Sequence, residues 1–177
     1  MADTALLIID IQNDYFPGGA MELEGADAAA AKASQALKSF REKKLPIFHV
    51  RHLSTRPGST FFLPGTKGAE IHASVAPRAG ETVIEKNFPN SFRATKLQDE
   101  LQGVKNLVVA GMMTHMCVDA SVRHAADLGY KITLLGDACA TRAQKIAGET
   151  VPARQVHLAF LAALNGFYAK VIDSHEL

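Results

Sequence analysis

Short, continuous apolar runs alternate along this chain with longer stretches whose apolar residues recur at helical spacing. The first run, Ala5-Leu6-Leu7-Ile8-Ile9, ends on a carboxylate, Asp10, and a loop rich in Asn, Pro and Gly follows it. Runs of this kind predict parallel strands buried on both faces. Residues 26–44 place Ala29, Ala33, Ala36, Leu37 and Phe40 on one helical face, with basic residues near the end where they suit the dipole. Further strands are predicted at 47–51, 81–86, 107–110, 131–137 and 169–172. Helices are predicted at 95–102, 116–128 and 152–165, closed by Gly103, Gly129 and Gly166. Between 52 and 77, Pro57, Gly58, Pro64, Gly65 and Gly68 interrupt any period, and so long a loop in a compact domain marks function or disorder. Strands alternating with helices predict the α/β class, a parallel sheet with helices on both faces.

Composition narrows this picture. A chain of 177 residues, 47% hydrophobic and 21% charged, is long enough for one sizeable core, and nothing in it marks a second, so one domain over 1–177 is expected. The formal net charge of +1 comes without a basic stripe, which argues against nucleic-acid partners. The start, Met1-Ala2-Asp3-Thr4, leads straight into the first strand, too short a segment for a signal peptide or a membrane span. A soluble, cytoplasmic protein with no membrane partner is the expectation. Two cysteines, Cys117 and Cys139, are expected to stay reduced in that compartment.

The chemistry lies at the strand ends, where open parallel sheets bind their ligands. Asp10 closes the first strand, Lys86 the third, and the fourth leads through Gly111 to Cys117. With Thr114 as N-cap, Cys117 falls at the third helical position, where free N–H groups and the helix dipole favour a thiolate and lower its pKa. Taken singly, Asp10 also fits a loop cap, Lys86 a solvated strand end and Cys117 an inert buried residue. Their coincidence at strand ends points instead to nucleophilic catalysis: Cys117 attacks, Asp10 moves the proton and Lys86 holds the charges.

Leu6-Leu7-Ile8-Ile9-Asp10-Ile11-Gln12-Asn13-Asp14, Lys86 with Asn90-Ser91-Phe92, and Gly111-Met112-Met113-Thr114-His115-Met116-Cys117-Val118 together resemble the isochorismatase-like cysteine hydrolases, a superfamily that includes nicotinamidases, N-carbamoylsarcosine amidases and biuret hydrolases. The resemblance covers nearly the whole chain. It implies a Rossmann-like, three-layer αβα fold with a six-stranded parallel sheet. For the site it implies an Asp10–Lys86–Cys117 triad, a cis peptide between Met112 and Met113, and an oxyanion hole from the Met113 and Cys117 amides. The implied activity is hydrolysis of a C–N bond in a small amide or ureido substrate. Two rivals stand beside it: an isochorismatase-type ether hydrolase, and a non-catalytic thiol-based binding or redox protein. Relatives of this kind often form dimers or larger homo-oligomers.

Departures from the family pattern bear on cofactors and substrate. Nicotinamidases commonly hold a metal through an Asp-x-His pair after the second strand, whereas this chain reads His49-Val50-Arg51-His52, with His72 further on. Without that Asp no metal is expected. No Gly-x-Gly-x-x-Gly or phosphate-loop lysine is present, so no nucleotide cofactor is expected either. Phe16, Phe62 and Phe92, with Phe61 and Phe88, are placed to wall a small substrate; Arg51 and Asn87 suit its polar end, and Met112 and His115 complete the substrate-binding set. His115 stands two residues before Cys117, a spacing that points helical side chains apart, so it is not the thiol's base. Asp137 is expected to tie a loop to backbone amides, and Cys139 to be a small buried residue.

Overall fold

The computed structural model describes residues 3–177; Met1 and Ala2, on which part of the export reading falls, lie outside the described residues. The apolar runs become strands β1 (Thr4–Ile9), β2 (Ile47–His52), β3 (Thr82–Lys86), β4 (Asn106–Met112), β5 (Lys131–Ala140) and β8 (Lys170–Ile172). They form one sheet in the order β3-β2-β1-β4-β5-β8. Every pairing in it is parallel. The helical stretches become α1 (Ala26–Glu42), α2 (Leu97–Glu100), α3 (Asp119–Asp127) and α4 (Ala153–Leu164). Among the described residues no helix is long and apolar enough to cross a membrane.

Because successive strand residues face opposite sides, β1 is divided between two cores. Leu6 and Ile8 pack with Ala29, Ala33, Leu37 and Phe40 of α1. Ala5, Leu7 and Ile9 pack with Leu97 of α2, Val122 and Ala125 of α3 and Leu164 of α4. This gives the three-layer αβα sandwich. The strand order runs outward from β1 in one direction and from β4 in the other, so the crevice between their carboxyl ends is the topological switch point where such sheets bind ligands.

Gly111 fixes how closely β1 and β4 meet there. Its φ is +151°, and a Cβ added to it would fall 2.2 Å from the Ile9 carbonyl oxygen. The register of β4 against β5 also shifts between Val109 and Gly111. A glycine at this point lets the end of β4 press against β1 and redirect the chain toward Cys117.

Several elements differ from the sequence expectation. Thr114 is not an N-cap: Met113 is extended, a π-helical turn spans Thr114–Val118, and α3 begins only at Asp119. The Thr114 hydroxyl is taken instead by the Ala140 carbonyl at 3.2 Å and His157 Nδ1 at 2.9 Å. The helix expected at 95–102 shrinks to one turn because Thr95 Oγ1 accepts from the Leu97 N–H and so starts it late. Strand β5 runs on to Ala140, past Asp137, whose carboxylate accepts from the Ser174 amide and hydroxyl. A two-stranded hairpin, β6 (Gln144–Ile146) and β7 (Glu149–Val151), follows; it is mostly exposed, so no apolar alternation marks it in the sequence. Cys139 is buried, and both cysteines are free thiols.

Candidate active site

Three strand ends deliver Asp10, Lys86 and Cys117 to one point. Asp10 turns out of β1 with φ 52°, a left-handed conformation that Asp tolerates better than most residues, and its N–H is held by the Val50 carbonyl. Lys86 ends β3 beside His52 of β2 and reaches across that strand. Its Nζ donates to Asp10 Oδ2 at 2.6 Å and to Cys117 Sγ at 3.4 Å. Asp10 and Lys86 are 0% and 1% exposed and Cys117 is 4% exposed, so the charges act on one another through little water.

Electrostatics at this point correct one expectation. Burial, and then the Asp10 charge, push the Cys117 thiol well above its ordinary pKa, and Lys86 only partly offsets them. Burial and the Asp10 charge thus favour the thiol over the thiolate that the helix-dipole reading expects. Burial also works against the Lys86 ammonium, but Asp10 and Cys117 together hold its pKa above the ordinary value. Asp10 Oδ1 is buried and has no hydrogen-bond partner among the described residues, so one oxygen of the carboxylate is free to take a proton.

A second circle of residues fixes this cluster. His52 Nδ1 lies 2.9 Å from Lys86 Nζ and accepts its third N–H. The Gln12 side chain donates to the His52 and Ala69 carbonyls and accepts from the His52 N–H, clamping the end of β2. Asp14 accepts from the Phe62 N–H at 2.6 Å and from the Ala20 N–H. Gly68 passes so close that a Cβ there would sit 2.1 Å from Asp14 Oδ1. The motif from Asp10 to Asp14 thus contributes a buried carboxylate beside Cys117 and two struts for the long loop.

Cys117 lies in the wall of a cavity of about 180 Å³, bounded by Tyr15, Phe61, Phe62, Pro89 and Met116 on its apolar side. His52, Asn87 and residues 54–56 and 59 complete it. Of the residues expected to bind substrate, Phe61, Phe62 and Asn87 line this cavity. The other six do not, and Phe88 lies instead beneath the Arg93 guanidinium. Phe16 stacks on His72 at a centroid distance of 3.6 Å. Arg51 pairs with its β3 neighbour Glu85. Phe92 packs against His124 and Tyr130. Met112 is enclosed in the α1-side core, and its peptide bond to Met113 is cis. His115 turns toward Thr141 and Phe160. The long loop supplies most of the wall, and apolar content alone does not say which of its aromatic residues face inward. Tyr15 was not among the residues expected at the site. Tyr15 stands in the loop that leaves Asp10, and the Cys117 and Asp10 charges add to burial in raising its pKa, which places its phenol near both.

The histidines of the metal question are dispersed. His49 bonds to Glu81 at 2.8 Å and His72 to Ser74. Among the described residues, Asp10, His52 and Cys117 are the set whose ligand atoms come together, all within 4.8 Å of one another. Lys86 Nζ touches all three, so the ammonium already holds the place that a cation would take there.

The isochorismatase domain profile matches residues 4–176, and the chain belongs to the isochorismatase family of hydrolases. It is 54% identical to the uncharacterized isochorismatase family protein YddQ of Bacillus subtilis, over 95% of this chain and 94% of that protein. The crystal structure of an isochorismatase from Pseudomonas putida superposes with a TM-score of 0.93 at 38% identity, covering 99% of this chain and 90% of the other. More distant relatives include nicotinamidase 3 of Arabidopsis thaliana (28% identical over 98% of this chain and 86% of that protein) and a maleamate amidohydrolase of P. putida (29% over 78% and 72%).

Proposed function

We propose that this protein hydrolyses a C–N bond in a small amide or ureido compound through a covalent acyl-enzyme on Cys117. The observation that carries the reading is the placement of Lys86 Nζ between Asp10 and Cys117, with Asp10 Oδ1 left without a partner. The amidohydrolases among its relatives support it. A cavity of about 180 Å³ is below the roughly 300–1,000 Å³ of drug-sized ligand sites, which favours a small substrate.

When a substrate carbonyl carbon meets Sγ, Asp10 accepts the thiol proton as the C–S bond forms. Lys86 stays charged and moderates the repulsion between the carboxylate and the developing thiolate. The C=O bond becomes an oxyanion, received by the backbone amides of Met113 and Cys117. Its collapse breaks the C–N bond, and the leaving amine takes the proton from Asp10. Water then gives a proton to Asp10 and adds to the thioester. Cys117 leaves as sulfur, regains that proton, and the carboxylic acid is released.

A carboxylate oxygen without a partner and an ammonium beside the thiol favour this over a redox or binding role for Cys117, which would use neither. An ammonia-release assay over nicotinamide, biuret, N-carbamoyl amino acids and simple amides tests the proposal, with Cys117→Ala as control. Turnover that depends on Cys117 is expected. Turnover of an enol ether that survives the substitution would point to the ether hydrolase instead.

A further inference from the structure

The cavity is electrically lopsided. Asp10, buried beside Cys117 and paired with Lys86, is not among the residues that line it. Among its lining residues there is no Asp or Glu, and Arg56 at the mouth is the one permanent charge. Arg56 makes no ion pair or side-chain hydrogen bond with another described residue, although its guanidinium is near enough to depress the His52 pKa. Ser54 and Thr55 beside it line the same cavity, and neither hydroxyl bonds to another described residue.

The backbone that carries them is fixed. The Ser54 N–H donates to the Phe62 carbonyl at 2.8 Å, and the Ser59 hydroxyl to the Arg56 carbonyl at 2.8 Å. Phe62 is itself held by Asp14. A guanidinium and two hydroxyls without a partner among the described residues thus stand on a braced loop in the wall of the cavity.

We propose that Ser54, Thr55 and Arg56 form a subsite for a carboxylate carried by the substrate, so that the substrate is a short monoanionic amide or ureide. This rests on the amidohydrolase reading of Cys117. An anionic end is drawn to the unpaired Arg56, whereas at the other end the Lys86 charge is already taken up by Asp10, which sets the direction of binding: carboxylate at Arg56, uncharged amide at Sγ. Tyr15, Phe61, Phe62 and Met116 between the two ends suit a short hydrocarbon spacer.

The test uses the three-, four- and five-carbon diacid monoamides (malonamate, succinamate, glutaramate), each beside its neutral diamide. At least one monoamide is expected to exceed its diamide in kcat/KM by about tenfold or more, the scale of a charge-assisted hydrogen bond. Arg56→Gln should erase that preference through KM, with kcat/KM falling about tenfold more for the monoamide than for its diamide, and Arg56→Lys should restore part of it. Equal use of both members of every pair, or an equal loss on both in Arg56→Gln, overturns the subsite. Calorimetric titration with malonate, succinate and glutarate separates it from the catalytic reading. If no amide is turned over but a diacid binds the wild type and not Arg56→Gln, the subsite stands and the hydrolase reading fails. If no diacid binds and no monoamide is preferred, the subsite fails.

Discussion

The Nδ1 atom of His52 accepts a hydrogen bond from Lys86 Nζ at 2.9 Å, which completes the three donors of an ammonium already bound to Asp10 and Cys117. Since Nδ1 accepts, the ring is neutral and its proton sits on Nε2. Burial, and then the Lys86 charge, lower the His52 pKa to about 4. ¹⁵N NMR should find a pyridine-type Nδ1 from pH 5 to 8; a protonated Nδ1 at pH 7 contradicts the arrangement. His52→Asn offers an amide oxygen to Lys86 and is expected to keep more activity than His52→Phe, which should lose about 10–100-fold.

A pH dependence follows from the same bond. Below about pH 4 a protonated His52 cannot accept from Lys86, so kcat should fall as pH drops through that value in a rate profile. Stability follows a wider window. The folded state binds fewer protons than the unfolded chain between about 4 and the ordinary 6.5, so this group makes stability rise with pH across that interval.

The raised pKa of Cys117 predicts slow alkylation. Iodoacetamide should modify the free protein at pH 7 far more slowly than it modifies an activated thiolate, with the rate still climbing at pH 9. Fast modification at pH 7, followed by mass spectrometry, would restore the thiolate that the helix-dipole argument expects.

Glu81 ties α1 to β2 away from the cavity. Its carboxylate accepts from Arg41 at 2.6 and 2.8 Å, from the Arg78 N–H at 2.9 Å, and bonds to His49 at 2.8 Å. The Arg41 hydrogen bonds lower its pKa to about 2. That stabilisation is complete above its ordinary pKa and is lost as pH falls through about 2. Glu81→Gln should cost about 1–3 kcal/mol in denaturant unfolding at pH 7 with little change in kcat.

Gly111→Ala puts a methyl group 2.2 Å from the Ile9 carbonyl oxygen, one residue before Asp10. Relief requires β4 to move from β1 and therefore Cys117 from Asp10. Both thermal stability and kcat should drop, by about 1–3 kcal/mol in stability, as for other overpacked sites. Normal activity in a destabilised variant would show that the two strand ends need not stay so close.

The strands were legible because buried parallel strands carry unbroken apolar runs, and Asp10, Lys86 and Cys117 were legible because each ends or follows such a run. Other features depend on contacts that no local pattern encodes. Thr114 has the right identity for an N-cap, yet partners 26 and 43 residues away claim its hydroxyl. Phe16 and Phe62 look alike in the sequence, but Asp14 turns the Phe62 segment inward while Phe16 is taken by His72. His52 read as a poor metal ligand; only the register that sets it beside Lys86 reveals an ammonium acceptor.

The central claim is an acyl group on Cys117, and intact-protein mass spectrometry of an acid-quenched reaction with a turned-over amide tests it most directly. The prediction is a mass increase equal to the substrate's acyl part, mapped to Cys117 and absent in Cys117→Ala, which also releases no ammonia. Ammonia release at the wild-type rate from Cys117→Ala would contradict it.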